Sequence, residues 1–238
     1  MSNERREPLS VAIVTGASRG IGRATAVALS ELGWGVSLVA RSEMHLRETA
    51  QQVKKSLVLP IDVSDPRSAQ QIINRTLDQF GRIDALVNNA GTAPMLSVEQ
   101  TTDDIWRQTI DTNLSAAFYL SRAAWPVFKK QRGGVIVNVS SAAGRDPFPG
   151  FSAYGAAKAG LNILGLSLAR EGAADNIRVH TIAPGATETE MFRGLPGMSE
   201  YPADKTMPPA DVASVIVNCI TGSLIHTSGE VIYLHKGA

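Results

Sequence analysis

The stretch Val11-Ala12-Ile13-Val14-Thr15-Gly16-Ala17-Ser18-Arg19-Gly20-Ile21-Gly22 joins a short apolar run to three glycines and then to a helical pattern. Glycines permit positive φ and close backbone approach, and a helix N-terminus presents unpaired N–H groups to a phosphate. The stretch therefore indicates a dinucleotide-binding strand, turn and helix. The glycine spacing is Gly-x-x-x-Gly-x-Gly, and a tight turn without a ligand would explain it too.

Short β-branched runs alternate with longer amphipathic stretches along nearly the whole chain. Most of the short runs are apolar throughout, as expected for strands that helices cover on both faces. Repeated strand–helix–strand units imply parallel pairing through right-handed crossovers. We therefore expect an α/β fold with a Rossmann-type, doubly wound parallel sheet of about seven strands and helices on both faces. The expected strands are residues 11–15, 36–40, 57–61, 83–88, 135–140, 177–183 and 230–234. The expected helices are residues 21–32, 43–54, 66–80, 102–130, 152–174 and 209–222.

No linker, repeat or low-complexity tract divides the chain, so residues 1–238 are expected to form one domain. Residues 190–208 are rich in Gly, Pro and Met and are expected to form a surface loop.

Composition narrows the classes of function. The chain has 23 Lys and Arg against 22 Asp and Glu, so bulk charge gives no indication of a nucleic-acid partner. The single cysteine, Cys219, excludes an intramolecular disulfide and fits a reducing compartment. Residues 1–8 lack the apolar core of a signal peptide, and no long apolar stretch follows, so we expect a cytoplasmic protein without a membrane partner. The four histidines lack ligand spacing, and no metal site is expected.

The end of the second expected strand bears on the choice of dinucleotide. Sites that prefer NAD usually place a carboxylate there for the ribose hydroxyls, whereas this chain has Ala40 followed by Arg41. Arg19 in the glycine turn adds a second guanidinium. Two guanidinium groups suit the 2′-phosphate of NADP(H), so the sequence favours NADP(H) over NAD. Arg41 could also be a solvated residue at the start of a helix.

Tyr154 and Lys158 stand one helical turn apart in Tyr154-Gly155-Ala156-Ala157-Lys158. Residues four apart share a helix face, so the ammonium group is expected near the phenol. A nearby positive charge lowers a phenol pKa from about 10. A tyrosine tuned in this way exchanges a proton with a carbonyl or alcohol oxygen near neutral pH.

Further motifs lie in order along the chain: Asn88-Asn89-Ala90-Gly91, Asn113, Ser141 and Pro184-Gly185. Together with the glycine turn and the Tyr–Lys pair, they resemble the short-chain dehydrogenase/reductase family, close in pattern to its 3-oxoacyl-[acyl-carrier-protein] reductases. The resemblance covers almost the full length. It implies an oxidoreductase that transfers a hydride between NADP(H) and a carbonyl or alcohol substrate.

The resemblance implies a catalytic tetrad of Asn113, Ser141, Tyr154 and Lys158. Tyr154 would be the general acid in reduction, and Lys158 would lower its pKa and reach the nicotinamide ribose. Ser141 would donate to the substrate oxygen, and Asn113 would help hold a water that links Lys158 to solvent. A turn-forming serine and a solvated lysine are the structural alternatives.

The resemblance also implies the contacts with the cofactor. Asp62 and Val63 would flank the adenine, and the segment 184–189 would hold the nicotinamide carboxamide. The expected cofactor-binding residues are Gly16, Ser18, Arg19, Gly20, Ile21, Gly22, Arg41, Asp62, Val63, Asn89, Ala90, Gly91, Tyr154, Lys158, Pro184, Gly185, Thr187 and Thr189.

The substrate pocket is expected between residues 94–95, 145–151 and the loop, with residues 190–208 as the substrate-binding loop and lid. Its lining is largely apolar. Arg145 and Arg193 either contact an anion or only solvate the rim. Three departures from the carrier-protein reductases leave the acyl-carrier substrate open: a shorter loop in the 190s, Asp175 and the C-terminal residues 235–238.

The resemblance implies a homo-oligomer, most simply a homotetramer, and both long helices carry apolar residues beyond what one sheet face needs. A non-catalytic NADP(H)-binding sensor or scaffold is the alternative function. Loss of the tyrosine or the lysine would mark it, and the chain retains both. An epimerase or dehydratase would need a longer C-terminal substrate domain.

Overall fold

The apolar run at the start of the glycine stretch forms the first strand, and all five of its residues are buried. A computed structural model describes residues 9–237, so the expectation for residues 1–8 lies outside the described residues. The strands are β1 (Val11–Thr15), β2 (Gly35–Ala40), β3 (Ser56–Pro60), β4 (Ala85–Asn88), β5 (Gly134–Val139), β6 (Ile177–Pro184) and β7 (Val231–Leu234).

The seven strands form one sheet in the order β3-β2-β1-β4-β5-β6-β7, and every neighbouring pair is parallel. The strand order reverses where β1 pairs with β2 on one side and with β4 on the other. Ligands bind in the crevice outside the carboxyl ends of the strands at such a reversal. The expected doubly wound parallel sheet is confirmed.

Helices connect the strands and cover both faces. They are α1 (Gly20–Glu31), α2 (Glu43–Ala50), α3 (Ser68–Phe80), α4 (Asp103–Ile110), α5 (Ala116–Gln131), α6 (Ser152–Gly172), α7 (Glu190–Arg193) and α8 (Pro209–Thr221). One apolar cluster joins the sheet to α1, α2 and α8, and a second joins its other face to α3, α5 and α6. This two-sided burial explains why most residues of the central strands are apolar.

Two sequence-based expectations need correction. The single helix expected at 102–130 is divided, because a π-helical turn at Asp111–Ser115 separates α4 from α5. Residues 190–208 are not a plain loop, since they contain α7 and a 3₁₀ turn at Ala203–Lys205. The Arg193 side chain holds that segment together through several hydrogen bonds.

Within residues 9–237, none of the helices combines the length and apolar character needed to cross a membrane.

Candidate active site

The three glycines of the turn leave its backbone without side-chain cover. Gly16 and Gly20 have φ of 64° and 54°, in the left-handed region that favours glycine. A Cβ on Gly16 would lie 2.7 Å from Asn89 Nδ2, and one on Gly22 would collide with the Gly16 carbonyl. Helix α1 begins directly after this turn without a side-chain cap. Its first N–H groups are therefore placed to bind a phosphate, and the cradle fits a dinucleotide.

A hydroxyl at the end of β1 ties the turn to the neighbouring strand. Thr15 Oγ1 accepts hydrogen bonds from the backbone N–H groups of Asn89 and Ala90, at 2.9 and 3.0 Å. Asn89 Nδ2 returns a bond to the Thr15 carbonyl at 2.9 Å. This exchange holds the Asn89–Gly91 segment against the glycine turn, so two of the expected cofactor-binding segments are neighbours.

Arg23, which the sequence did not point to, also supports the glycine turn. Arg23 Nε donates to Thr49 Oγ1 at 3.0 Å, and its Nη2 atom donates to the Ser18 carbonyl. Thr49 Oγ1 in turn donates to the Ala17 carbonyl at 3.0 Å. Helix α2 thus supports the turn from behind. Arg23 and Thr49 are 26 residues apart in the sequence, so no local pattern pairs them.

The two arginines assigned to the 2′-phosphate lie in different environments. Arg41, at the end of β2, is exposed and makes no ion pair within the described part of the chain. Arg19 forms an ion pair with Glu190, the first residue of α7, with 2.6 Å between Nη1 and Oε2. The sequence did not predict this pair.

The remaining expected adenine contacts follow β3. Val63 is buried, whereas Asp62 is exposed, and its Oδ1 atom accepts from the N–H and hydroxyl groups of Ser64 at 3.0 and 2.8 Å. The Asp62 carboxylate therefore shapes the turn into α3.

Tyr154 and Lys158 meet on one face of α6, as the spacing predicts. Lys158 Nζ lies 5.6 Å from the centroid of the Tyr154 ring and donates to the Val139 carbonyl at 2.8 Å. Lys158 is buried, with 4% of its surface exposed. Ser141 follows β5, its Oγ atom accepts from the N–H of Ala143 at 3.2 Å, and its hydroxyl lowers the pKa of Tyr154 as a hydrogen-bonding neighbour. Three members of the expected tetrad are therefore in contact.

Asn113 lies at the centre of the π-helical turn and is buried. Its Nδ2 atom donates to the carbonyls of Thr92 and Thr109, both at 2.9 Å, and its Oδ1 atom accepts from the N–H of Thr92. A Cβ on Gly91 would lie 2.7 Å from Asn113 Oδ1 and 3.7 Å from Lys158 Nζ. The fourth tetrad residue thus reaches the same region, and π turns of this kind are frequent at functional sites.

Electrostatics correct one expectation. Burial raises the pKa of Tyr154 above its usual value of 10, and the hydrogen bond with Ser141 offsets only part of this rise. The sequence predicted a lowered pKa, because it indicated the nearby ammonium group but not the partial burial of the phenol. Burial also lowers the pKa of Lys158 to about 8. Removal from water disfavours the charged form of each group.

The segment after β6 is held by its own hydroxyls. Thr187 Oγ1 donates to the Gly185 carbonyl at 3.1 Å. Thr189 caps α7, because its Oγ1 atom accepts from the N–H of Phe192. Pro184 is the last residue of β6. A Cβ on Gly20 would lie 3.1 Å from Thr189 Cγ2, so this segment touches the glycine turn.

The two arginines expected at the substrate rim behave differently. The Arg145 guanidinium stacks on the Tyr233 ring at 4.0 Å. Arg193 makes two bonds to the carboxylate of Glu188, at 2.7 and 2.6 Å, and also donates to the carbonyls of Met198 and Tyr201. Arg193 is therefore a clasp that holds residues 188–201 together. It does more than solvate the rim of the pocket, and few of its N–H groups are left to bind an anion.

The aromatic side chains expected around the substrate cluster beside Tyr154. Phe151 is buried, with its ring centroid 5.2 Å from that of Tyr154, and Phe148 lies 6.2 Å further out and is 66% exposed. Met95 packs near Gly150. Phe151 therefore places an apolar ring next to the phenol.

No cluster of three or more His, Cys, Asp or Glu suitable for a metal occurs in residues 9–237. Cys219 is buried within α8.

The fold and the site define a Rossmann-type α/β protein with a bare glycine turn and a tyrosine–lysine–serine cluster at one edge of its sheet. A family model described as short chain dehydrogenase matches residues 10–199. The chain belongs to the short-chain dehydrogenase/reductase family of oxidoreductases, whose members use a nicotinamide cofactor.

Relatives and solved structures agree with this assignment. The 3-oxoacyl-[acyl-carrier-protein] reductase FabG of Salmonella typhimurium is 35% identical over 95% of this chain and 96% of its own length. A putative short-chain alcohol dehydrogenase from Sinorhizobium meliloti superimposes with a TM-score of 0.89 at 33% identity, over 94% of each chain. Levodione reductase superimposes with a TM-score of 0.89 at 27% identity, over 96% of each chain. The resemblance inferred from the sequence is confirmed.

Proposed function

We propose that this protein is an NADP(H)-dependent oxidoreductase that reduces a ketone or aldehyde, with alcohol oxidation as the reverse reaction. The observation that carries the proposal is the placement of Lys158 Nζ 5.6 Å from the Tyr154 ring, with the Ser141 hydroxyl acting on the pKa of the same tyrosine. A surface lysine with no role would not be buried against a phenol.

When bound, the cofactor donates a hydride to the carbonyl carbon in reduction and accepts one in oxidation. Tyr154 gives its proton to the carbonyl oxygen, and its raised pKa keeps the phenol protonated at neutral pH. The ammonium of Lys158 stabilises the phenolate that remains. Ser141 orients the substrate oxygen together with Tyr154.

Asn113 is a positioning residue in this proposal. Its amide joins Thr92 to Thr109 and so fixes the π turn beside Lys158. By resemblance to the family, that turn helps hold a water through which Lys158 exchanges protons with solvent. The residues that would hold the dinucleotide are those of the expected set, from the glycine turn and Arg41 to Thr187 and Thr189.

NADP(H) is favoured because the end of β2 presents Arg41 and no carboxylate, and Arg19 adds a second cation at the glycine turn. A 2′-phosphate accepts charge-assisted hydrogen bonds from guanidinium groups, whereas a ribose hydroxyl at this position usually requires an acid.

The substrate class remains broad. The aromatic lining next to Tyr154 suits a carbonyl with an apolar body, and the relation to FabG makes a 3-oxoacyl thioester one compound to test. A panel of acetoacetyl thioesters, quinones and simple ketones, followed by the loss of NADPH absorbance, tests the proposal. NADPH binding without turnover on any of them would support the sensor or scaffold instead.

We also propose a homotetramer. Three large apolar side chains on α4, α5 and α6 are partly or fully exposed: Trp106 at 44%, Phe118 at 40% and Ile163 at 67%. Large apolar side chains left exposed are candidates for an association surface. Sedimentation of the wild type as a monomer at micromolar concentration would contradict the proposal, and Ile163→Glu is expected to dissociate the assembly.

A further inference from the structure

The ion pair between Arg19 and Glu190 connects two segments that are far apart in sequence. Arg19 precedes the first residue of α1 in the glycine turn, and Glu190 is the first residue of α7. Their Nη1 and Oε2 atoms are 2.6 Å apart. The Thr189 side chain lies next to Gly20, since a Cβ added to Gly20 would be 3.1 Å from Thr189 Cγ2. The pair therefore bridges the cofactor turn and the segment expected to cover the substrate.

We infer that Glu190 is an internal anion that competes with the cofactor 2′-phosphate for Arg19, and so sets the affinity and selectivity for NADP(H). The inference rests on the proposed use of NADP(H). Glu190 is a positioning residue in this scheme, because it acts through Arg19.

Three observations support competition over a purely structural role. Both side chains are more than half exposed, at 53% and 71%, so the pair is weak and is readily exchanged. A phosphate dianion is a stronger and bidentate partner for a guanidinium than one carboxylate oxygen. Arg41 leaves its guanidinium unengaged by other charged groups of the described chain, so the phosphate has a second anchor while it displaces Glu190.

The other acid of the segment does not share this position. Glu188 is held by two bonds from Arg193 and one from Thr206. The hydrogen bonds from Arg193 and Thr206 lower the pKa of its carboxyl group. Glu188 therefore stays with the clasp, and Glu190 alone of the two meets the glycine turn.

Equilibrium binding of NADPH, NADH and 2′,5′-ADP to the full-length protein tests the inference. Glu190→Gln is expected to tighten the binding of NADPH and 2′,5′-ADP by about threefold to fivefold, since an exposed pair contributes little, and to leave NADH unchanged. Glu200→Gln removes the same charge from an exposed position of the same segment and is the matched control, with no expected change. Arg19→Gln is expected to weaken NADPH binding. Glu190→Gln added to Arg19→Gln is expected to have no further effect, because there is then no Arg19 guanidinium for Glu190 to compete for.

The outcomes separate the inference from the proposed function. A wild type that prefers NADPH, with Glu190→Gln unchanged or weaker in NADPH binding, overturns the inference alone. Equal tightening by Glu200→Gln also overturns it, since a general field effect would then be responsible. A wild type that binds NADH more tightly than NADPH overturns both the proposed cofactor and the inference.

Discussion

Lys158 reaches beneath Tyr154 from the next turn of α6, with its Nζ atom 5.6 Å from the ring centroid and bonded to the carbonyl of Val139. The carbonyl fixes the ammonium, so the charge lies close to the phenol without depending on the phenol for its position. Burial at the same time keeps Tyr154 protonated by raising its pKa. A neutral acid beside a fixed cation is suited to donate a proton to a substrate oxygen.

Tyr154→Phe removes the proposed acid and little else. The expected result is a fall in turnover of about 10²- to 10⁴-fold on the best substrate, with the Kd for NADPH nearly unchanged. Steady-state rates and a binding titration on the same preparation measure both. Tyr119→Phe, on α5 and outside the site, is the control and should keep parental rates. Parental turnover in Tyr154→Phe would assign the acid to another group.

The pH dependence of turnover reports on Lys158. Because burial lowers its pKa to about 8, the ammonium is charged below pH 8 and becomes neutral as the pH rises further. The rate of carbonyl reduction by the wild type is therefore expected to decline above about pH 8. In Lys158→Arg the guanidinium keeps its charge, so the ratio of rates at pH 9.5 and pH 7 should be higher than in the wild type, whatever the absolute rate. Thermal melts confirm that the variant folds. If the ratio of rates is the same in the variant and the wild type, the charge of Lys158 does not govern the pH dependence.

Features written in local sequence could be predicted. The apolar runs locate all seven strands within about two residues, because strands covered on both faces are mostly apolar. The glycine turn and the pair at positions 154 and 158 follow from backbone sterics and helical geometry alone. These features carry most of the fold and the centre of the site.

Features that depend on contacts between distant segments could not be predicted. Arg19 and Glu190 are 171 residues apart, and no local pattern pairs them. The π turn around Asn113 has a hydrophobic pattern close to that of the helices beside it, so the periodicity predicted a single helix. The predicted direction of the Tyr154 pKa shift was wrong. The partial burial that raises this pKa comes from packing, whereas the spacing shows only the neighbouring charge.

Arg41→Asp tests the choice of cofactor. The change removes a guanidinium from the end of β2 and places a carboxylate where ribose hydroxyls would need one. NADPH binding is expected to weaken by about tenfold or more, and NADH binding to improve. Dissociation constants for both cofactors measure the switch. Arg67→Asp, a change of the same charge at an exposed residue in the turn before α3, is the control. An unchanged preference would show that Arg41 does not contact the phosphate.

Arg193→Gln tests the clasp over residues 188–201. The variant loses both bonds to Glu188 and those to the carbonyls of Met198 and Tyr201. The segment is expected to open more often, so thermolysin should cleave it several-fold faster and KM for the substrate should rise more than kcat falls. Glu188→Gln removes the other partner and should act in the same direction. Cleavage at the parental rate in both variants would contradict the role of the clasp.

His180 is expected to make the protein sensitive to acid. Its side chain is fully buried on β6, bonded through Nδ1 to Thr227, and burial, with the nearby charge of Arg178, lowers its pKa to about 4 from 6.5. Between these values the unfolded chain binds a proton that the folded protein does not, so stability rises with pH and is lost as the pH falls from about 6.5 toward 4. His180→Gln should narrow the difference in Tm between pH 7 and pH 5 by about 4–7 °C, whatever its effect on Tm at pH 7. His226→Gln changes an exposed histidine and should leave that difference as it is. If both variants lose the same amount of Tm on acidification as the wild type, other groups govern the acid response.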